Sequence, residues 1–302
     1  MIVIGSINMD IVAHAERAPG PGETVFGRDY AFYPGGKGAN QAVAARRAGA
    51  DVTFFGCLGN DTYGDTLNEA LSAEGIDPSG ITRVPTPTGI AFITVDASGE
   101  NRIIVIPGAN YALRSADLPS VFEPGTVLLT QLEIPIPIVI AAASSNRASG
   151  GTTILNISPI AGLDAATLIA LRDVADILLI NETEAAGLLA LEQLGSPEAA
   201  ALDLALGHRA AIITLGADGV VWAAATSSGP STGRLPRHNI EVIDTTGCGD
   251  AFAGAFSAAI ERGESISAAV AYGNAAGGLA ATKSGAQAAM PTAQEIDDIL
   301  NA

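Results

Sequence analysis

The chain is expected to fold as an α/β protein, with a doubly wound, mainly parallel sheet flanked by helices and a small β-sheet set apart as a lid. Three features carry this expectation. Short apolar runs, at residues 2–4, 126–130, 153–157, 177–180 and 210–215, alternate with helix-like segments. Such βα alternation with wholly apolar strands specifies parallel strands covered by helices on both faces. Each run ends in polar residues, which puts ligand-binding side chains at one edge of the sheet. Near the C-terminus, residues 242–256 read VIDTTGCGDAFAGAF, small residues leading into an Ala-rich helix over 251–260.

Taken in order, residues 2–4 form the first strand. The sequence Gly5-Ser6-Ile7-Asn8-Met9-Asp10 then reads as a turn that sets an amide, Asn8, and a carboxylate, Asp10, just beyond the strand's carboxyl end. Residues 24–33 are extended. The run Pro34-Gly35-Gly36-Lys37-Gly38-Ala39-Asn40 lets backbone approach a ligand closely, with Asn40 in the first turn of a helix over 41–48. A strand over 51–57 and a helix over 63–74 follow. Residues 89–95 and 102–106 flank the polar turn 96–101 as a hairpin. With 24–33 they make the small sheet, so the lid comprises segments of about 11–34 and 88–108 over the site.

From residue 126 the βα rhythm resumes, with a strand to Thr130, then Gln131-Leu132-Glu133, and a helix from about Pro135. Later strands end in Asn156, in Asn181-Glu182-Thr183-Glu184 and in Gly216-Ala217-Asp218-Gly219. Val242 and Ile243 read as the end of a strand or its approach, and helices over 266–282 and 293–300 close the chain. No linker, charge run or internal repeat divides it, so residues 1–302 are expected to be one domain.

Composition narrows the function. With 302 residues, 48% of them hydrophobic, and a mean hydropathy of +0.34, the chain can bury a sizeable core. A net charge of −17 and a pI near 4.4 argue against nucleic acid or an anionic membrane as partner. A small anionic substrate must then be held by local N–H groups. Lys37 and Lys283 are the only lysines beside thirteen arginines, a bias with no direct functional meaning. Two cysteines, Cys57 and Cys248, are too few for a disulfide framework, and the first ten residues read as a strand rather than a leader. Both point to a cytoplasmic protein, in which the sequons at Asn156 and Asn181 carry no weight. Apolar runs fall far short of a membrane span.

At the junction ahead of the Ala-rich helix, the backbone N–H groups of Gly247, Cys248, Gly249 and Asp250 and the helix dipole together make an anion site. Asp250 beside it suits a base that takes a proton while a phosphoryl group arrives. Taken alone, the same letters fit an N-terminal cap and a turn equally well. A dinucleotide fingerprint fails, since Phe252 stands in its third slot, and a Walker loop fails, since Gly36-Lys37 is followed by Gly38.

Eight segments, in order, resemble the ribokinase-like (PfkB) family of sugar kinases. They are G-S-I-N-x-D from Gly5, G-G-K-G-A-N-Q-A-V-A-A from Gly35, P-G-A-N from Pro107, Q-L-E from Gln131, N-E-T-E from Asn181, T-L-G from Thr214, D-T-T-G-C-G-D-A-F from Asp244 and K-S-G-A-Q from Lys283. The resemblance implies an ATP-dependent kinase, with nucleotide along the carboxyl edge and sugar under the lid. It assigns Asp250 as the base and Gly247, Cys248 and Gly249 as the anion hole. Asn8, Asp10, Gly36, Lys37, Asn40 and Glu133, with Asp250, would hold the sugar. Asn181, Thr214, Gly216, Gly219 and Asn274 would hold the nucleotide, with Glu184 near Mg²⁺. A monovalent cation, K⁺, would sit at Asp244, Thr246 and the backbone of Lys283 and Gly285.

The resemblance further implies a homodimer paired through the lid and D-ribose as acceptor at its primary hydroxyl. Fructose, deoxyribose or a nucleoside stays open, as does a catalytically silent sugar-binding regulator. Cys248 departs from the family pattern, which usually has Ala or another small residue there. Its thiol is either activated by the helix start or an inert filler.

Overall fold

The apolar runs become the strands of one large sheet, and the structure, a computed structural model, describes residues 1–97, 99–227 and 229–301. The first half of the chain forms β1 (Ile2–Ile4), β2 (Asn8–Ala15), β3 (Gly27–Gly35), α1 (Lys37–Arg47), β4 (Thr53–Gly59), α2 (Thr62–Ala73), β5 (Asp77–Val84), β6 (Gly89–Val95), β7 (Asn101–Ile106), β8 (Val127–Thr130) and α3 (Ile136–Ala148). The second half forms β9 (Thr152–Asn156), α4 (Ala165–Val174), β10 (Ile177–Asn181), α5 (Glu182–Leu188), α6 (Pro197–Leu204), β11 (Ala210–Thr214), β12 (Val220–Thr226), β13 (Gly229–Leu235), α7 (Cys248–Glu261), α8 (Ile266–Ala280) and α9 (Ala293–Leu300).

The large sheet has the order β13-β12-β11-β10-β9-β8-β1-β4-β5. It is parallel from β11 to β5, with β12 and β13 added antiparallel at one end. The chain starts mid-sheet at β1, moves outward through β4 and β5, then restarts beside β1 at β8 and runs the other way. The reversal leaves a crevice at the carboxyl ends of β1 and β8, where open α/β sheets bind ligands. Successive residues of a strand face opposite sides. Val3 accordingly joins the core beneath α1, α2, α7, α8 and α9, while Ile4 joins the core beneath α3, α4, α5 and α6. All four residues of β8 are buried, as a strand covered on both faces requires.

The small sheet has the order β3-β2-β6-β7, with β2 and β6 parallel and the outer pairs antiparallel. The expected hairpin is β6 and β7; its turn contains Ser98, which lies outside the described residues, as does Ala302 at the chain's end. Asn8 and Asp10, expected in a turn, instead open β2. Pairing with β3 on one side and β6 on the other overrides their turn preference, and the strand carries the chain from one sheet directly into the other.

Three strands of the large sheet were not anticipated. β5 (DPSGITRV) and β13 (GPSTGRL) are polar edge strands without an apolar period, and β12 is drawn into the sheet by pairing with both β11 and β13. Val242 and Ile243, read as strand, lie in an exposed loop; Ile243 N–H donates to the Ala281 carbonyl, so the loop follows the end of α8 rather than a sheet edge. Helix α1 starts at Lys37, four residues ahead of the expected 41, because Glu133 supplies its cap from across the sheet. Among the described residues no helix is long and apolar enough to cross a membrane.

Two helix starts converge on the crevice. Side chains cap α2, α4, α5, α6, α8 and α9, whereas α1 and α7 have glycine there, Gly36 and Gly247, with positive φ of 88° and 75°. At Gly36 a Cβ would lie 2.8 Å from the Asn8 nitrogen, so only glycine lets α1 start against β2. α1 and α7 then pack closely through Gly254, where a Cβ would come within 2.5 Å of the Ala44 Cβ and the Gln41 carbonyl oxygen.

Candidate active site

Asp250 sits in the third position of α7 and is buried. The close α1–α7 packing brings two amides to it: Asn40 Nδ2 donates to Oδ2 at 3.0 Å, and Gln41 Nε2 donates to Oδ1 at 2.9 Å. Ala251 N–H is the first in α7 to reach back to a carbonyl four residues earlier, that of Gly247. The N–H groups of Gly249 and Asp250, ahead of it, are therefore first-turn donors left to a ligand. The expected anion hole differs at Cys248, whose N–H turns back to the Thr245 carbonyl at 3.3 Å.

On one side of Asp250 lie the residues expected to hold sugar. Asn8 is buried at the start of β2, and its Oδ1 accepts from Asn110 Nδ2 at 2.7 Å. Asn110 also grips both the N–H and the carbonyl of Ile7, which fixes the Asn8 amide with its donor group free. Asp10 lies over Gly35, where a Cβ would sit 2.1 Å from Oδ2. Burial, then the charges of Glu133 and Asp250, push the Asp10 carboxyl up to about 7. Glu133 Oε2 accepts from the Ser6 hydroxyl at 2.6 Å and from Lys37 N–H at 3.0 Å, so one oxygen caps α1. Asn40 Oδ1 is buried without a partner, an acceptor suited to a substrate hydroxyl.

On the other side a small cavity is lined by Lys37, Asn156, Asn181, Glu184, Gly249 and Asp250. The Lys37 side chain thus faces this cavity as well as the crevice. Burial pulls its ammonium down, but Asp250, Glu133 and Glu184 more than offset this, and its pKa lies above the ordinary value. Asn181 and Glu184 form a capping box, with Glu184 N–H to Asn181 Oδ1 at 2.8 Å and Asn181 N–H to Glu184 Oε2 at 2.9 Å. That leaves Glu184 Oε1 as the oxygen for a metal. Among the described residues no three His, Cys, Asp or Glu side chains group to cage one. A single carboxylate fits an ion such as Mg²⁺, which keeps waters and takes its other oxygens from phosphates.

The small cavity continues at Thr214, Gly249 and Phe252 into a groove of about 510 Å³. Its walls are mostly apolar and include Gly216, Gly219, Ile240, Val242 and Asn274, a lining that suits an apolar base. Asn274 Nδ2 donates to the Pro236 carbonyl at 2.9 Å.

Beneath the start of α7, Asp244 ties two loops together: Oδ1 accepts from Thr246 N–H and Oδ2 from Gly285 N–H, each at 2.9 Å. Burial works against the charge, but these N–H groups hold its carboxyl below the usual range. Both oxygens keep a further lone pair, so a monovalent cation fits here together with backbone carbonyls. The Lys283 side chain turns away to Glu295. The activated reading of Cys248 is corrected: burial, with Asp244 and Asp250, pushes its thiol up to about 11, so these outweigh the helix start.

Three residues with a direct hand in the site were not singled out from the sequence. Gln41, Gln131 and Asn156 form a chain of side-chain amides ending on Asp250. The available signal was a pair of adjacent amides, Asn40 and Gln41, within the otherwise small and apolar stretch of α1 from Ala39 to Ala45, of which only Asn40 was assigned a role. A buried polar group of that kind requires partners.

Known proteins match this chain over its whole length. The family described as pfkB family carbohydrate kinase matches residues 1–293. A ribokinase of Haemophilus influenzae is 38% identical over 99% of this chain and 98% of its own length. Among solved structures, the ribokinase of Thermotoga maritima superposes with a TM-score of 0.87 at 33% identity, covering 100% of this chain and 99% of that one. The structure of Arabidopsis thaliana ribokinase complexed with ribose and ATP superposes with a TM-score of 0.83 at 30% identity, covering 100% and 98%. The buried carboxylate at an open helix start, the crevice at the strand reversal and these matches lead to one conclusion: the chain belongs to the pfkB family of carbohydrate kinases.

Proposed function

We propose that this protein transfers the γ-phosphoryl group of ATP to the primary hydroxyl of D-ribose, giving ribose 5-phosphate and ADP. The observation that carries this reading is Asp250, a buried carboxylate gripped on both oxygens by neutral amides, lying between a cluster of sugar-type ligands and a cavity open to helix N–H groups. The ring hydroxyls engage Asn8, Asp10, Asn40 and Glu133, which leaves the exocyclic CH₂OH directed at Asp250. Asp250 takes the proton of that hydroxyl; its oxygen forms a bond to the γ-phosphorus, and the bond to the bridging oxygen breaks, leaving the electron pair on ADP.

The N–H groups of Gly249 and Asp250 and the Lys37 ammonium face the charge on the equatorial oxygens. Mg²⁺ supplies charge neutralisation along the phosphates, with Glu184 as the protein carboxylate near it. Thr214, Gly216, Gly219 and Asn274 border the nucleotide. Asp244 and Thr246, against the 283–285 turn, would hold K⁺, whose charge would stiffen the loop ahead of α7. The small sheet acts as the lid and pairs two copies. An ATP-consuming reaction of this kind suits the cytoplasmic setting expected from the cysteine content.

The test is ADP release coupled to a reporter, with ribose, deoxyribose, fructose and adenosine as acceptors, in K⁺ and in a bulky organic cation at constant ionic strength. Ribose should give the highest kcat/KM, and removing K⁺ should lower the rate. Equal or better turnover of fructose or adenosine would reject ribose, and indifference to K⁺ would reject the cation site.

A further inference from the structure

We infer that Gln41 is a positioning residue for the base: it fixes the orientation of Asp250 by a hydrogen-bond chain whose direction is locked at a backbone carbonyl on β10. Gln41 is wholly buried. Its Nε2 donates to both Asp250 Oδ1, at 2.9 Å, and Asn156 Oδ1, at 3.0 Å, and its Oε1 accepts from Gln131 Nε2 at 2.7 Å. Asn156 in turn donates through Nδ2 to the Leu179 carbonyl at 3.2 Å.

A carbonyl oxygen only accepts, so Leu179 fixes which end of the Asn156 amide faces it. Asn156 must then present Oδ1 to Gln41, and Gln41 must present Nε2 to both Asn156 and Asp250. The donor offered to Asp250 is therefore set by the backbone and does not depend on the charge of Asp250. With Asn40 holding the other oxygen, the carboxylate cannot rotate as it gains a proton from the sugar.

The lock spans the reacting groups, since Asn156 lines the same cavity as Asn181 and Glu184. Any shift of β9 or β10 at the phosphate side is thus transmitted to the base. Gln131 Oε1 is buried without a partner and lies where a Cβ on Gly5 would be, 2.1 Å away. An unmade bond of this kind works against stability, and it falls at the far end of the chain, where the other end of the same amide donates to Gln41.

The inference rests on Asp250 being the base, which Asp250→Asn tests separately: a variant that keeps wild-type turnover would overturn the base itself. Gln41→Met keeps the volume of the side chain and removes all three bonds. Its kcat should fall about 10- to 100-fold, the scale of a displaced catalytic group, with KM for ribose within about threefold of wild type. Its Tm should also fall, because Gln131 and Asn156 lose a buried partner, so the split between kcat and KM is the deciding readout. Gln41→Glu can donate to Asp250 only while protonated and opposes both Asp250 and Asn156 when ionised. Its kcat relative to wild type should therefore drop about tenfold or more between pH 6 and pH 9.

A Gln41→Met enzyme with wild-type kcat, while Asp250→Asn is inactive, overturns the positioning role and leaves the base in place. Should Gln41→Met fail to fold, the Gln41→Glu profile decides alone, and a ratio to wild type that stays flat across that pH range overturns the inference.

Discussion

Asp10 is held at the mouth of the crevice in a state that the substrate must change. Burial beside Glu133 and Asp250 raises its carboxyl to about 7, so below that pH the free protein carries it protonated. A sugar hydroxyl that donates to Asp10 requires the carboxylate, so binding ribose near neutral pH should release a proton, and affinity should rise between about pH 6 and pH 8. Calorimetry at pH 7 in two buffers of different ionisation enthalpy would measure it; heats independent of the buffer would remove Asp10 from the sugar's partners. The sign for the unliganded fold is the opposite. The unfolded chain loses this proton near 3.8 while the fold keeps it to about 7, so this group lowers stability as pH rises through that window. At Cys248 the environment also overrules the local rule: the helix start favours thiolate, but burial and two nearby carboxylates leave a thiol.

At the scale of elements, the site depends on how closely α1 and α7 approach. Gly254 has Ala44 against it, and an added methyl there would meet both a side chain and the backbone of α1. Gly254→Ala is expected to lower stability by about 1–3 kcal/mol, the usual effect of overfilling a core. It should also reduce kcat by pushing Asn40 and Gln41 away from Asp250, and adding Ala44→Gly, which clears the side-chain contact but not the Gln41 carbonyl, should recover part of both. Thermal melts and turnover of the three variants check this; independent, additive losses would mean that the contact does not set the site.

The parallel strands were legible because a buried strand must be apolar throughout, as in residues 177–180, and because each run stops where the chain meets the ligand edge, here at Asn181. The Asp250 junction was legible only in company: its own letters fit a cap and a turn equally well, and the seven other ordered segments gave it its role. The edge strands β5 and β13 were hidden, because one solvated face and a polar composition erase the period. The amide chain through Gln41 was hidden too. It joins α1, the turn just after β8, β9 and α7, and no spacing along the sequence encodes contacts made across four segments.

For the molecule as a whole, the small sheet leaves unresolved business with its surroundings. Ile103 to Ile106 of β7 are all exposed, Ile104 at 67%, and Phe32 and Phe92 add to the apolar surface. β7 is also an open edge. Monomers seldom leave such a patch beside an unpaired edge, and a second copy can cover both at once. Sedimentation at micromolar concentration should show a dimer, and Ile104→Lys should shift it to monomer; a wild-type protein that sediments only as monomer would contradict the pairing.

The bond between Asp244 and Gly285 has a consequence for the order in which the protein is made. Gly247 rests against Ala286, and Arg47 of α1 holds the Gln287 and Met290 carbonyls, so the loop beneath the phosphates is braced by residues 283–290. Asn8, Asp10, Asn40 and Glu133 precede that brace by at least 150 residues. No nascent chain that stops before Gly285 contains both halves of the tie, so the loop ahead of α7 stays unbraced until well after most of the sugar ligands have been made.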